Sequence, residues 1–439
     1  MTIRADDLIL ISVDDHIIEP PNLFDAHLPA KYKEAAPRIV RRDDGADVWR
    51  FGGVEVPNVA LNAVAGRPKE EYGVEPTCLE EVRPGCYQVD ERVKDMSAGG
   101  MLASMNFPSF PGFAARLFAV EDEDFGLALV RAYNDWHIDE WCAAYPGRFI
   151  PMALPVIWDA EKCAAEVRRV AAKGCHSLTF SENPAALGYP SFHDPYWDPL
   201  WTAVCDTEMV VSLHIGSSGQ LVFPAKDSPP DVMITLQPVN IMSAAADLLW
   251  SRVLKNFPAI RFALSEGGTG WIPYFLERAD RTYEMHSKWT GQDFGTRTPS
   301  DVFREHFLTC FISDAAGVQL RDQIGIDNIS WEADYPHSDS LWPNAPEELA
   351  QVFNDAGASD VEIAKITHEN AMRWFSFDPF AHVPKEKASV GALREQVAGH
   401  DVSIRARGIR GQKMTLEETK ARFDRMGGAA PGTGAQSVD

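Results

Sequence analysis

The sequence predicts an α/β protein built as a closed (β/α)8 TIM barrel, and three observations lead to this prediction. Eight short apolar runs recur along the chain, helix-like segments separate them, and the runs are nearly continuous in hydrophobicity instead of alternating. Such runs are typical of parallel strands buried on both faces. Strands that alternate with helices indicate a barrel or an open doubly wound sheet. No G-x-G-x-x-G loop follows an early strand, so the barrel is favoured.

The predicted strands are separated by segments with helical apolar spacing. One of these segments, residues 159–174, ends in Gly174, as a helix with a left-handed cap would. The eight predicted strands are LILISV (8–13), LASMNF (102–107), FIPMAL (149–154), CHSLTF (175–180), MVVSLH (209–214), IRFALS (260–265), FLTCFIS (307–313) and NISWEA (328–333).

Two parts of the chain do not fit this alternation. Residues 22–95 contain several prolines and a hairpin-like segment, VWRFGGVEVP, and we predict a large insertion after the first strand that covers the barrel mouth. Residues 381–439 are more polar, and we predict a C-terminal extension that is partly disordered. The predicted organisation is therefore a barrel over residues 1–380, including the insertion, followed by the extension.

Composition and charge disfavour several classes of function. Acidic residues outnumber basic ones by 64 to 41, and the net charge of −23 disfavours binding to nucleic acid or to an anionic membrane surface. No apolar run approaches the ~20 residues of a bilayer-spanning helix, and the amino terminus lacks the features of a signal peptide. The seven cysteines form no C-x-x-C pair, which is typical of reduced thiols. We therefore expect a cytoplasmic protein that acts on a small molecule.

Titratable side chains stand at the ends of three predicted strands, where barrel enzymes carry their catalytic groups. The first strand runs into Asp14 and His16, which share a face because side chains alternate along a strand. The fifth strand ends at His214, and Asp334 follows the eighth. Each residue alone could be structural. Together, two imidazoles and two carboxylates at one barrel mouth form a suitable ligand set for a divalent metal ion.

Longer segments around these residues resemble the amidohydrolase superfamily, in the branch that includes aminocarboxymuconate-semialdehyde decarboxylase and the resorcylate decarboxylases. The matching segments are SVDDHIIEPP, RVKDMSAGG, RFIPMALPV, LHIG, LSEGGTGWIPYFLER, WEADYPHSDS and ITHENAMRWF. They extend from about residue 8 to residue 376. The resemblance implies one divalent metal ion, zinc or manganese, with Asp14, His16, His214 and Asp334 as ligands. It also implies a homodimer, which is common in that branch.

Two positions depart from the pattern of that family. Its common first-strand motif is His-x-His, with Glu-x-His also known, whereas this chain has Asp14 in the leading position. Family members commonly have a His before the Gly-Gly pair after the sixth strand, whereas this chain has Glu266. A carboxylate beside a cation can accept or deliver a proton, so we assign Glu266 and Asp334 the catalytic proton transfers. Alternatively, Glu266 only hydrogen-bonds the glycine-rich turn.

Four further side chains are candidates for binding the substrate. His193 lies in the loop after the fourth strand, and His337 lies three residues after Asp334. Phe107, at the end of the second strand, and Trp271, after the sixth, would give the mouth an aromatic wall. Each has a structural alternative, since a histidine can cap a turn and an aromatic ring can fill a core.

The predicted function is a metal-dependent hydrolase in which an activated water attacks the carbonyl of a small aromatic or apolar acid, amide or ester. The same ion could serve the non-oxidative decarboxylation of an aromatic or enoic acid, so a carboxy-lyase is the first alternative. A catalytically silent binding barrel is the second. A sugar-cleaving barrel that uses Glu182 and Glu266 is the third.

Overall fold

The computed structural model describes residues 2–56, 60–73, 76–220, 222–225 and 227–406. The strands in this part of the chain are β1 (Leu10–His16), β2 (Arg38–Arg41), β3 (Asp47–Phe51), β4 (Val54–Val56), β5 (Met101–Phe107), β6 (Phe149–Ile150), β7 (Met152–Ala153), β8 (Ser177–Ser181), β9 (Val210–His214), β10 (Arg261–Ser265), β11 (Phe307–Phe311) and β12 (Ile329–Trp331). The α-helices are α1 (Leu23–His27), α2 (Val89–Ala98), α3 (Glu123–Trp136), α4 (Ala160–Ala171), α5 (Asp198–Asp206), α6 (Pro230–Leu236), α7 (Pro238–Leu249), α8 (Val253–Asn256), α9 (Ile272–Thr290), α10 (Pro299–His306), α11 (Ala315–Gln319), α12 (Arg321–Ile324), α13 (Ala345–Asp355), α14 (Asp360–Ala364), α15 (Asn370–Trp374) and α16 (Val390–Gln396).

Parallel strands at eight successive positions form the centre of the fold. One sheet has the order β1-β5-β6, and the other has the order β12-β11-β10-β9-β8-β7. β6 and β7 are the two halves of the third predicted strand, divided at Pro151, which has no N–H to donate to a ladder. At the opposite seam the Asp334 N–H donates to the Asp14 carbonyl over 2.8 Å, so the end of the last strand lies beside β1. The predicted α/β class is confirmed, and the eight predicted strands occur in the predicted order.

The central strands are buried on both faces, as their continuous apolar runs predict. Every residue of β1, β5, β9 and β11 is buried. The predicted helix over residues 159–174 is α4, whose N-cap Asp159 accepts a hydrogen bond from the Lys162 N–H over 3.0 Å. Gly174 has a φ of +85°, which is the left-handed position that the sequence predicts.

Residues 22–95 contain the antiparallel sheet β2-β3-β4. Gly52 and Gly53 connect β3 to β4 with φ angles of +57° and +78°, and positive φ at both central residues is what a type I′ hairpin turn requires. The sheet packs on the loop after β5, because Trp49 stacks on Phe110 with ring centroids 4.1 Å apart. The insertion thus lies against loops at the carboxyl ends of the central strands.

The C-terminal extension is described up to residue 406. Its helix α16 lies beside the start of β1, since the Val390 N–H donates to the Leu8 carbonyl over 2.9 Å. Gly100 permits this approach: its φ is +77°, and a Cβ there would lie 2.6 Å from Val390 Cγ1. Residues 407–439, which include the part predicted as disordered, lie outside the described residues.

One segment of the described chain, Pro230–Leu249, is long and apolar enough to cross a membrane by length and composition alone. This differs from the expectation that no apolar run approaches that length. The segment consists of the consecutive helices α6 and α7, and 33% of its most apolar window is buried. Because core helices of soluble proteins pass the same test, a single such segment is weak evidence for a membrane span.

Candidate metal centre

Five side chains from four strand ends converge at one point, and we call them the donor cluster. They are Asp14 and His16 on β1, His214 on β9, Glu266 directly after β10, and Asp334 after β12. The His16 Nε2 atom lies 3.3 Å from His214 Nε2, 3.2 Å from Glu266 Oε1 and 3.1 Å from Asp334 Oδ1. His214 Nε2 lies 3.2 Å from Glu266 Oε1 and 3.4 Å from Asp14 Oδ2.

These separations fit ligands of one metal ion. Nitrogen and oxygen ligands at about 2.1 Å from a cation lie roughly 3.0–3.4 Å from each other in octahedral or tetrahedral arrangements. The donors form two overlapping groups that could each hold an ion, one with Asp14 and His214 and the other with Asp334 and His337. Both groups share His16 Nε2. A neutral imidazole nitrogen has one lone pair, so the cluster fits one cation and not two.

The carboxylates of the donor cluster lack a cationic Lys or Arg partner within the described residues. Both oxygens of Asp14 are buried without a hydrogen-bond donor, and Asp334 Oδ1 lies 2.8 Å from His337 Nδ1 and 3.1 Å from His16 Nε2. Within the described residues, no Lys or Arg forms an ion pair with Asp14, Glu266 or Asp334, which contact only imidazoles. Burial and repulsion by neighbouring carboxylates raise the pKa of Asp14 and Asp334 well above their ordinary values. A bound cation would offset this excess of negative charge.

The two imidazoles are held in the form that binds metals. Burial, together with the neighbouring histidines, lowers the pKa of His16 well below 6.5 and favours its neutral form. The His214 Nδ1–H donates to the Ile215 carbonyl over 2.7 Å, which leaves the Nε2 lone pair directed into the cluster. The ring of His16 is fixed between Phe107, 6.0 Å away, and His337, which stacks on it at 3.7 Å.

Two of the carboxylates stand on left-handed backbone. Glu266 has a φ of +53° and Asp334 a φ of +54°, in a region that non-glycine residues seldom adopt. Hydrogen bonds hold both positions: the Glu266 N–H donates to Glu332 Oε1 over 3.0 Å, and the Asp334 N–H donates to the Asp14 carbonyl. Such positions cost on the order of 1–3 kcal/mol and cluster at functional sites. Here they bring both carboxylates to within 3.2 Å of His16 Nε2.

Aromatic and imidazole rings cover the donor cluster. Phe113 stacks on His214 at 4.0 Å, and the Phe107 centroid lies 4.8 Å from the same ring. The side chains of Glu266 and His337 are 12% and 10% exposed, whereas those of the other donors are at most 3% exposed. The cluster is therefore nearly closed, and its open side faces Glu266 and His337.

His337 also interacts with the carboxylates. Its Nδ1 lies 2.8 Å from Asp334 Oδ1 and 3.7 Å from Glu266 Oε1. Burial would lower the pKa of His337, but these two carboxylates outweigh that effect and raise it to about 10. A protonated His337 would thus be the single cationic side chain at the open side of the cluster among the described residues.

The structure brings most of the predicted site residues together and places two elsewhere. Asp14, His16, His214, Glu266 and Asp334 form the donor cluster, and His337 and Phe107 contact it. His193 forms an ion pair with Asp247 at 2.7 Å, and its side chain is 49% exposed. The Trp271 Nε1–H donates to the Gly267 carbonyl over 2.8 Å, and its ring packs edge-on against Phe275. Among the contacts of the described residues, none joins the side chain of His193 or Trp271 to the donor cluster, and their role in binding substrate stays a prediction.

Sequence reasoning missed two neighbours of the cluster, Phe113 and Glu332, and left the role of Glu182 open. Phe113 lies in the loop after β5, and only its fold position reveals that it covers His214. Glu332 is fully buried, and its role in orienting the Glu266 backbone has no signal in the sequence. Glu182, a candidate for sugar cleavage, is 2% exposed and accepts hydrogen bonds from Ser217 and Ser218, so it serves the loop after β9.

An α/β chain with metal-ligating side chains at the ends of parallel strands has the architecture of a metal-dependent enzyme. The amidohydrolase family matches residues 24–377. The match covers most of the chain, and the chain therefore belongs to the amidohydrolase family, as the resemblance implied.

Solved structures share this fold at low sequence identity. An amidohydrolase from Mycobacterium avium subsp. paratuberculosis K-10 aligns with a TM-score of 0.64 at 20% identity, over 84% of this chain and 99% of that one. The 5-carboxyvanillate decarboxylase LigW from Sphingomonas paucimobilis aligns with a TM-score of 0.59 at 20% identity, over 84% and 100%. A 5-carboxyvanillate decarboxylase from Novosphingobium aromaticivorans, with bound manganese and a nitrobenzoic acid, aligns with a TM-score of 0.57 at 16% identity, over 84% and 97%. No curated protein matches this chain.

Proposed function

We propose that the protein is a metal-dependent hydrolase of small, uncharged carbonyl compounds such as esters, lactones or amides. The donor cluster supports this proposal, because it combines three carboxylates and two imidazoles at ligand separations of 3.1–3.5 Å. This donor set suits one zinc or manganese ion, with Asp14, His16, His214 and Asp334 as ligands and Glu266 as a further donor. When bound, such an ion polarises a carbonyl oxygen and lowers the pKa of a water molecule.

The charge of the cluster favours an uncharged substrate. Three ionised carboxylates around a divalent ion leave a formal charge of −1 when the neutral imidazoles of His16 and His214 bind it, and a protonated His337 would bring the total to zero. A substrate carboxylate would then make this nearly closed cavity negative, whereas an ester or amide carbonyl would leave it neutral. The low dielectric of such a cavity makes this difference larger than it would be in water.

Glu266 is the side chain best placed to move a proton. Its carboxylate is the most exposed of the donor cluster, at 12%, so it faces a water molecule or substrate that enters from the open side. The imidazoles of His214, His16 and His337 outweigh the effect of burial and hold the pKa of Glu266 well below 4.5, which keeps it ionised as a proton acceptor. Asp334, paired with His337 at 2.8 Å, is the second candidate for this role.

The rings over the cluster support an aromatic or apolar substrate. Phe107 and Phe113 both lie against His214, so a planar substrate group would contact them when it approaches the donors. Closure by these rings also excludes bulk water from the reacting carbonyl.

The reaction class can be tested with metal-loaded protein and a panel of aryl esters, lactones, amides and aromatic acids, with product masses recorded in ¹⁸O-labelled water. Hydrolysis predicts one ¹⁸O atom in the acid product. Glu266→Gln should lower kcat about 100-fold or more, and Glu284→Gln, an exposed residue of α9, should leave it unchanged. The absence of hydrolysis of every uncharged substrate by fully metal-loaded protein would contradict the proposal.

Decarboxylation of an aromatic acid is the second candidate function. A protonated His337 beside the cluster would offset the charge of a substrate carboxylate. At least five of the structures that share the fold are named decarboxylases of an aromatic acid. Release of carbon dioxide, with solvent deuterium at the vacated carbon, would establish this reaction in place of hydrolysis.

We also propose that the protein acts in the cytoplasm, as a homodimer, on a small molecule and without a nucleic-acid or membrane partner. The net charge of −23 and the free state of all seven cysteines support this environment. Light scattering of the purified protein measures the oligomeric state directly.

A further inference from the structure

A second buried polar cluster connects three distant parts of the chain, and we call it the junction. Its centre is Asp95 on α2, whose side chain is 2% exposed. Asp95 Oδ1 accepts hydrogen bonds from Arg83 over 2.6 Å and from His400 Nε2 over 2.7 Å. Asp95 Oδ2 accepts from Arg83 Nε over 2.8 Å and from the Tyr335 hydroxyl over 2.6 Å. Arg83 belongs to the insertion and His400 to the C-terminal extension.

Tyr335 connects the junction to the donor cluster. It directly follows Asp334, and its carbonyl accepts a hydrogen bond from the His16 N–H over 2.7 Å. Its own N–H donates to Asp15 Oδ1 over 3.1 Å. A movement of Tyr335 would therefore shift Asp334, whose left-handed backbone depends on these neighbours, and His337 two residues later.

The C-terminal extension holds the junction from the other side. The Asp401 carbonyl accepts from Arg83 over 2.6 Å, and the Arg405 N–H donates to the Gly66 carbonyl over 2.9 Å. The same stretch of the insertion also reaches the loop 334–337, because the Val64 N–H donates to the Pro336 carbonyl over 2.9 Å. Residues 400–405 therefore hydrogen-bond both to Asp95 and to the insertion at Gly66.

We propose that His400 is a positioning residue of the metal centre: through Asp95 and Tyr335, the C-terminal extension holds the loop 334–337 in the geometry that binds the cation. The inference rests on the metal site of the proposed function and not on the reaction. Residues that orient metal ligands typically change affinity 10–100-fold when they are removed. His400 contacts Asp95 and none of the proposed ligands, so we expect a change in metal affinity at the lower end of this range, about tenfold.

The test uses the full-length protein and titrates Zn²⁺ and Mn²⁺ against a chelating dye. His400→Leu should weaken affinity about tenfold and shift the visible absorption of the Co²⁺-loaded protein. His400→Gln keeps a donor for Asp95 and should stay within about twofold of the parent. His382→Leu is the matched control, since His382 is an exposed histidine of the same extension, and it should change neither quantity.

A combined variant tests the route through Asp95. Tyr335→Phe should also weaken affinity about tenfold, and adding His400→Leu should weaken it no further, because both changes act on one chain of contacts. The inference is overturned if His400→Leu only lowers the melting temperature and leaves affinity and the Co²⁺ spectrum unchanged. It is also overturned if the two losses multiply. Metal binding without hydrolysis would contradict the proposed function alone.

Discussion

The donor cluster and the junction are both buried and polar, yet they differ in how their charges are satisfied. In the junction, each oxygen of Asp95 accepts two hydrogen bonds, and the Arg83 guanidinium supplies the opposite charge. In the donor cluster, neither oxygen of Asp14 accepts a hydrogen bond, and no described Lys or Arg pairs with the carboxylates. A buried carboxylate without a donor is costly in a folded protein.

The difference shows what each cluster is for. The hydrogen bonds of the junction are satisfied within the chain, so it stabilises the fold and, through Tyr335, the position of Asp334. Under the proposed function, a cation from outside the chain completes the donor cluster, so its carboxylates would be held for a ligand at the expense of stability. The two clusters share one segment, because Asp334 belongs to the first and Tyr335 to the second.

The largest expected effect comes from removing a donor. Asp334→Ala should abolish stoichiometric metal binding, with affinity reduced by more than about 100-fold, since a direct ligand contributes more than the residues that orient it. Metal content by mass spectrometry after dialysis is the measurement. If Asp334→Ala retained full metal content, the donor cluster would not be the metal site that distinguishes it from the junction.

Removing the carboxylate of the junction should act mainly on the stability of the fold, in addition to the roughly tenfold loss of metal affinity expected along the route through Tyr335. Asp95→Ala leaves the Arg83 guanidinium buried and unpaired, and we expect a loss of about 3–5 kcal/mol in the free energy of unfolding of the metal-free protein. Asp206→Ala breaks an exposed ion pair with Arg168 and should cost less than about 1 kcal/mol. Urea unfolding in the presence of a chelator compares the two. Equal losses would show that the junction is not a satisfied ion pair of the core.

Glu19 is a third case: it has hydrogen-bond donors, but no Lys or Arg of the described residues forms an ion pair with it. It accepts from the N–H groups of Ser109 and Phe110, each over 2.8 Å, yet burial raises its pKa to about 7. Between about pH 4.5 and 7, the Glu19 carboxyl is therefore protonated in the folded state and ionised in the unfolded state. Stability relative to Glu19→Gln should fall as the pH rises from about 4.5 to 7, by up to about 3 kcal/mol. A flat difference in unfolding free energy across this range would contradict the prediction.

The sequence alone predicts the central strands and which residues form most of the donor cluster. Alternation along β1 puts Asp14 and His16 on one face, and barrel topology brings His214 and Asp334 to the same end. The sequence assigns Glu266 a role in proton transfer but not in binding the metal. Its carboxylate reaches 3.2 Å from His16 Nε2 only because its backbone is left-handed, and residue spacing does not reveal that turn.

Contacts between distant segments account for what the sequence could not predict. His193 is 49% exposed and pairs with Asp247, 54 residues away. Phe113 stacks on His214 because its loop folds back over the sheet. The hydrogen bond between Asp95 and His400 spans 305 residues and involves no motif. Such pairs follow from the complete packing of the chain and not from local patterns.

The metal content of the purified protein tests the central claim most directly. We expect one divalent transition-metal ion for each chain, removable by a chelator and restored by zinc or manganese, because the two donor groups share His16 and Glu266. Protein that binds no metal ion after incubation with either, or that binds two for each chain, would contradict this account.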